Sequence, residues 1–159
     1  MLYKLLILLG VLLLMSFAWL IYRRYNKKGT CISFKETFKK TGLPIITLYN
    51  DNCALNFLVD TGSDVNCINK DKLKYLHYTE TNKSGNMVNS SGVNKSNVIM
   101  MPINDKHDTA VVEFYILDLR IQFDTIAIYD GVKIDGILGS KFCKDAGLII
   151  NYNDYKIYS

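Results

Sequence analysis

The chain is short of the residues that punctuate and cross-link proteins. Its 159 positions include two prolines, two histidines and four cysteines. No low-complexity tract and no internal repeat is visible. Cys31, Cys53, Cys67 and Cys143 are spaced like neither C-x-x-C nor any other metal-binding pattern, and nothing in the spacing demands disulfides. Reduced thiols that fill space are the expectation. His77 and His107 lie in polar stretches and are expected to face solvent. No metal and no cofactor is therefore expected. Positive charge is also missing from most of the chain. Residues 1–40 carry eight Lys/Arg and one Glu, whereas residues 41–159 carry eleven Lys/Arg and fourteen Asp/Glu. The formal +4 thus divides into +7 and −3, which argues against a nucleic-acid partner.

The N-terminal segment is apolar. Eighteen residues from Leu5 to Tyr22 carry no charge and are mostly Leu. At about 1.5 Å per residue that run spans a bilayer core of about 30 Å. Trp19 and Tyr22 stand where an interfacial aromatic belt would be. A cleaved signal peptide fits less well, because the run is long and no small-x-small site precedes Arg23. The expected organisation is a single transmembrane helix over residues 1–22, a basic juxtamembrane connector over 23–42 and one domain over 43–159. The length allows that domain a real core.

Within the domain, β signals dominate. LPIITLY and ALNFLV flank Asn50-Asp51-Asn52, a good hairpin turn. VNCIN, VIMMPI, AVVEFYIL and IQFDTIAIY also read as strands, and CISF as a short one inside the connector. NKDKLKYL reads as a short helix with Asn69 as a candidate N-cap. Residues 79–97, rich in Ser, Asn and Gly, read as a loop or mobile hairpin. SKFCKDAG fits a short helix capped by Ser140 and ended by Gly147, and LIINYNDYKIY a closing hairpin. The fold class predicted is mostly β, a closed barrel or sandwich with one or two short helices.

One stretch carries chemistry. In FLVDTGS an apolar strand delivers Asp60 to its own end, followed by Thr61, Gly62 and Ser63. A lone buried carboxylate is costly. A glycine turn with two hydroxyl residues could hold such an acid rigidly at the floor of a cleft, with Ser63 able to bond the carboxylate. The tripeptide alone is a weak signal. Its context is stronger: a hairpin before it, a Gly-containing flexible segment after it, and later GILGSKF and INYNDYKIY.

That order resembles the retropepsin-like (retroviral-type) aspartic proteases over roughly residues 43–158, in the manner of membrane-tethered cellular or bacterial members. The resemblance implies that Asp60 is catalytic, that Thr61 clasps an opposite subunit and that the backbone of Gly62 meets substrate. It implies that Asp64 contacts substrate main chain and that Ser91, Gly92 and Val93 form a flap tip, with Gly85 as an alternative register. Retroviral members follow the late Gly with Arg, whereas this chain has Ser140-Lys141. Asp-Thr-Gly occurs once, and Asp135 in IDGILG is followed by Gly-Ile, so it is no second copy. One motif per chain implies a symmetric homodimer acting on a peptide or protein substrate. The competing functions are a catalytically silent dimerisation or peptide-binding module, and an anchored structural protein with no site. Lys4 precedes the apolar run, while Arg23, Arg24, Lys27 and Lys28 follow it. That bias favours a cytoplasmic domain. Likeness to tethered bacterial relatives favours a periplasmic or extracellular one.

Overall fold

The computed structural model describes residues 13, 15–17, 31–89, 92–105 and 108–159. The expected anchor and Arg23–Lys28 fall almost wholly outside the described residues, as does Ser91. Among the described residues no helix is long and apolar enough to cross a membrane.

The first hairpin forms where the turn residues place it. β2 (Ile45–Asn50) and β3 (Cys53–Asp60) pair antiparallel from Ile45↔Leu58 to Asn50↔Cys53. Asp51 takes the left-handed conformation at φ 50° that Asp tolerates in tight turns. Asn50 is buried, and its amide is fully used. Its Nδ2 donates to the carbonyls of His77 and Pro102 at 2.9 and 2.8 Å, and its Oδ1 accepts the His77 N–H at 2.7 Å.

β3 alternates strictly. Leu55, Phe57 and Val59 enter the main core, while Leu58 faces the other way onto a satellite cluster of Ile45, Val132 and Ile134. Beyond β3 come β4 (Cys67–Asn69), a 3-10 helix (Lys70–Tyr75), and the strands β5 (Thr79–Asn89), β6 (Gly92–Asn104) and β7 (Thr109–Leu117). Asn69 caps the 3-10 helix as expected, accepting the Asp71 N–H at 3.3 Å. The Ser/Asn/Gly-rich stretch read as a loop or mobile hairpin pairs as β5 with β6, to Asn89↔Gly92. β8 (Gly136–Gly139) completes a seven-stranded sheet in the order β2-β3-β8-β4-β7-β6-β5, and one pair, Tyr49↔Asn104, brings β2 back to β6.

Two stretches differ from the reading of the sequence. IQFDTIAIY is helix α2 (Arg120–Asp130) rather than a strand. Its β-branched and aromatic content suggested β structure, but Phe123 and Ile126, three apart, pack together onto the satellite cluster. Gly131 at φ 66° closes the helix. The second is the end of the connector. β1 (Cys31–Ser33) pairs with β10 (Lys156–Tyr158), and α1 (Lys35–Thr41) follows it. Phe34 is 1% exposed. It and Phe38 stack edge-on against Tyr152, and they also meet Tyr155. The lysines give this stretch its basic look, yet they ride outside an aromatic cluster that docks it on the C-terminal hairpin of β9 (Ile149–Asn151) and β10. Helix α3 (Ser140–Asp145) starts one residue earlier than expected, with Gly139 rather than Ser140 at its N-cap. Among the described residues from 31 on there are thus three α-helices and one 3-10 helix, more than the one or two expected.

Asp135 joins these pieces just before β8. Its N–H donates to Asn56 O at 2.8 Å, its carbonyl accepts the Asn69 N–H at 2.8 Å, and its Oδ2 accepts the Asn56 N–H at 3.0 Å. Oδ1 lies 2.9 Å from Lys72 Nζ, an ion pair rather than a well-aligned hydrogen bond. The carboxylate is only 4% exposed. Lys72→Met would leave it buried and unpaired, and is expected to lower stability by about 3 kcal/mol. Adding Asp135→Asn should recover most of that loss. Urea unfolding of both variants checks this, and an unchanged midpoint for Lys72→Met would show the pair to be immaterial.

Candidate active site

β3 and β8 run parallel and in register from Phe57↔Gly136 to Asp60↔Gly139. Since side chains alternate along a strand, Val59 points into the core and Asp60 does not. This answers how an apolar strand can end in an acid: the carboxylate leaves the sheet on the face away from the main core, half-buried.

The turn after Asp60 is held by its own backbone. Gly62 N–H donates to Asp60 Oδ1 at 2.9 Å, and Ser63 N–H donates to Asp60 O at 3.2 Å. The Ser63 hydroxyl does not bond the carboxylate, as the sequence suggested. It donates instead to Val65 O at 2.8 Å and tightens the loop beyond. Thr61, Gly62 and Asp64 are exposed. Among the described residues no donor reaches the second oxygen of Asp60, and the Thr61 hydroxyl has no partner.

The far side of the turn is clamped to β8. Ser140 N–H donates to Ser63 O at 2.7 Å, and Gly139 N–H donates to Asn66 Oδ1 at 2.9 Å. A Cβ on Gly139 would stand 2.4 Å from Val65 O and 2.7 Å from Ser63 O, so only glycine fits. Asn66 is buried. Its Nδ2 donates to Glu113 O at 3.0 Å and its carbonyl accepts the Tyr115 N–H at 2.9 Å. Nothing in the sequence marks Asn66 as a site residue. Its signal, a polar residue inside VNCIN, looked like an ordinary strand position.

The turn residues Asp60 to Asp64 are thus brought together. Gly92 and Val93 stand at the far end of the β5–β6 hairpin. Val93 is exposed, and among the described residues no hydrogen bond or ion pair joins them to the turn. A cleft of about 580 Å³ opens beside the turn, walled by Asp64, Asn66, Met100, Glu113, Tyr115 and Phe142 among others. A smaller apolar cavity of about 210 Å³ lies between β1, β2 and α3 and includes none of the turn residues. Lys141 pairs with Asp145 on its own helix. Among the described residues no cluster of three His, Cys, Asp or Glu could hold a metal.

The comparisons with known proteins bear on this geometry. The aspartyl protease family model matches residues 46–142, which run from β2 through the Asp60 turn and the β8 glycines into α3. The chain belongs to the aspartyl protease family. No curated protein matches it. Among solved structures, EIAV protease in complex with the inhibitor HBY-793 is similar at 16% identity and a TM-score of 0.48, over 66% of this chain and 88% of that one. In this aspartyl protease the family match contains Asp60, Thr61, Gly62 and Gly139, and it ends inside α3.

The thiols near the turn are quiet. Burial, reinforced by the charge of Asp64, pushes the Cys67 thiol from 9.0 up to about 12. Burial also raises Cys143, with the charge of Asp60 adding to it. A folded-state value raised above the unfolded one favours the native state below the unfolded pKa, and that advantage is lost as pH rises toward about 12. At pH 8.5 the folded protein should therefore leave Cys67 unmodified by iodoacetamide while exposed Cys31 is alkylated. Mass mapping checks this, and modification of both at equal rates would contradict the burial of Cys67.

Proposed function

We propose that the protein is a membrane-anchored aspartic endopeptidase whose active site forms when two copies bring their Asp60 carboxylates together. The observation that carries this reading is the state of the Asp60 turn. Its backbone is fixed by the loop and β8, while among the described residues one carboxylate oxygen of Asp60 and the Thr61 hydroxyl are unspent at an exposed edge. An acid held in place by Gly62 N–H is ready to meet a second acid across a two-fold axis. The family membership supports the chemistry, and the single Asp-Thr-Gly supports the symmetry.

Two carboxylates about 3 Å apart cannot both ionise, so the pair shares a proton. The ionised member takes a proton from a water held between them. The water attacks the scissile carbonyl, whose oxygen is hydrogen-bonded by the protonated member. Thr61 would clasp the partner turn, and the Gly62 backbone and Asp64 would hold the substrate main chain. The β5–β6 hairpin, with Ser91, Gly92 and Val93 at its end, would serve as the flap. In this reading the seven-stranded sheet acts as the curled barrel of a retropepsin-like protease. Asp60→Asn keeps size and removes both charge and shared proton. It should reduce cleavage of a peptide library by at least about a thousandfold while leaving thermal unfolding within a degree or two of the parent. The parent's specific activity should fall on dilution as the dimer dissociates. Cleavage by the Asn variant at the parent rate, or activity independent of dilution in a demonstrated monomer, would refute the dyad.

We further propose that the apolar segment of residues 5–22 anchors the chain and that the body faces the cytoplasm, on the charge bias that follows the segment. A membrane-impermeant maleimide applied to intact cells should then leave Cys31 unlabelled until lysis. Labelling before lysis would place the body outside.

A further inference from the structure

β6 does not stay in the sheet along its whole length. Its pairing with β7 runs from Asn104↔Thr109 to Val98↔Tyr115. From Tyr115 onward β7 is paired in parallel with β4, through Cys67↔Tyr115, Ile68↔Ile116 and Asn69↔Leu117. Residues 84–89 and 92–97 therefore leave the sheet as a two-stranded ribbon, and a break in β5–β6 register between Glu80 and Ser84 marks its root. A free ribbon of two strands has little to define its direction.

Three contacts at the root supply that direction, and all of them end on one short stretch of β7. Ser96, 3% exposed, donates its hydroxyl to Ile116 O at 2.8 Å. Lys83 pairs with Glu113 at 2.8 Å, an exposed contact of little worth. The third is steric. A Cβ at Gly85 would stand 2.7 Å from Tyr115 Cε1 and 3.1 Å from its Oη. Gly85 is not in the left-handed region, so its missing side chain answers to space and not to backbone conformation. The Tyr115 ring reaches across β6 to fill that space. The same residue donates its N–H to Asn66 O, and Asn66 Oδ1 in turn holds Gly139 N–H, the partner of Asp60 across β3 and β8.

We propose that Tyr115 is a positioning residue, its ring seated in the notch at Gly85 to aim the β5–β6 ribbon over the cleft while its backbone is tied to the loop that carries Asp60. The inference rests on the endopeptidase reading, in which the ribbon covers the substrate. It makes the ribbon's pose depend on β7 as well as on the hairpin's own residues. Tilting the ribbon then weakens the grip on substrate without moving the carboxylate. Such a change raises KM and leaves kcat, the pattern of lost uniform binding.

A double-mutant cycle on the full chain tests this. Gly85→Ala puts a methyl against the ring, which must swing away, whereas Tyr115→Val empties the notch. Gly85→Ala alone should raise KM about tenfold with kcat within about twofold. It should also speed amide exchange across residues 84–97 with no change in β3 and β8. In the Tyr115→Val background the same methyl should change neither KM nor exchange further. Tyr115→Leu replaces Val in the cycle if the smaller variant does not fold. Additive effects of the two substitutions, or a loss confined to kcat, would overturn the proposal. If the parent cleaves no peptide, the endopeptidase reading fails, and the exchange arm of the cycle still decides whether Tyr115 aims the ribbon.

Discussion

The parallel contact between β3 and β8 is the constraint on which the rest of the site depends. Two strands in register bring Asp60 and Gly139 side by side, and the loop from Ser63 to Asn66 must then pass over the end of β8. Parallel pairing needs a long crossover between the strands, and here everything from β4 to α2 is that crossover. β8 ends up between β3 on one side and antiparallel β4 on the other, with all four of its residues at least half-buried. Both of its glycines are places where no side chain fits. At Gly136 a Cβ would stand 2.5 Å from Cys67 O, and at Gly139 it would strike the turn itself. Backbone laid against backbone gives the acid a position that side chains alone would not hold.

Electrostatics adds little to this framework except at Asp135. Lys70, Asp71, Asp118 and Arg120 form a surface cluster, and hydrogen bonds from the Arg120 and Lys70 side chains hold the Asp118 carboxyl well below the usual range. These groups are exposed, so water and salt screen the attraction and the cluster contributes little to stability. The Lys72–Asp135 pair is different because the carboxylate is buried and bound into the strand junction by hydrogen bonds as well. It lies beside the site without taking part in it. Asp135 in IDGILG is thus accounted for as a structural acid.

Much of this was legible in the residues. Asp60 at a strand end, the hairpin at Asp51, the cap at Asn69 and the short helix after Gly139 each follow from local rules: alternation, turn chemistry, capping. The misreadings have one physical source. Ile121-Gln122-Phe123 and its neighbours carry β-forming side chains, but a satellite cluster of Ile45, Val132 and Ile134 rewards a helical spacing that only the tertiary structure reveals. Phe34 and Phe38 lie in the stretch read as a basic connector, and their partners Tyr152 and Tyr155 lie more than a hundred residues on. Asn66 and Tyr115 were silent for the same reason: each matters through a contact between strands far apart in sequence.

The division of hydrogen bonds within the turn separates folding from chemistry. Apart from one Asp60 contact, the bonds that fix the loop are made by backbone groups or by Ser63 and Asn66, whose partners are carbonyls and N–H groups behind the acid. Asp60 contributes one contact, to Gly62, at an exposed edge where water competes for both partners. Thr61 contributes none among the described residues. The two side chains that the sequence marks most strongly are therefore the ones the monomer's fold needs least. A polar group that is held in place, unspent and still hydrated costs the single chain almost nothing. Its rigidity is inherited from β8 and Asn66, so the single chain's own fold preorganises the turn.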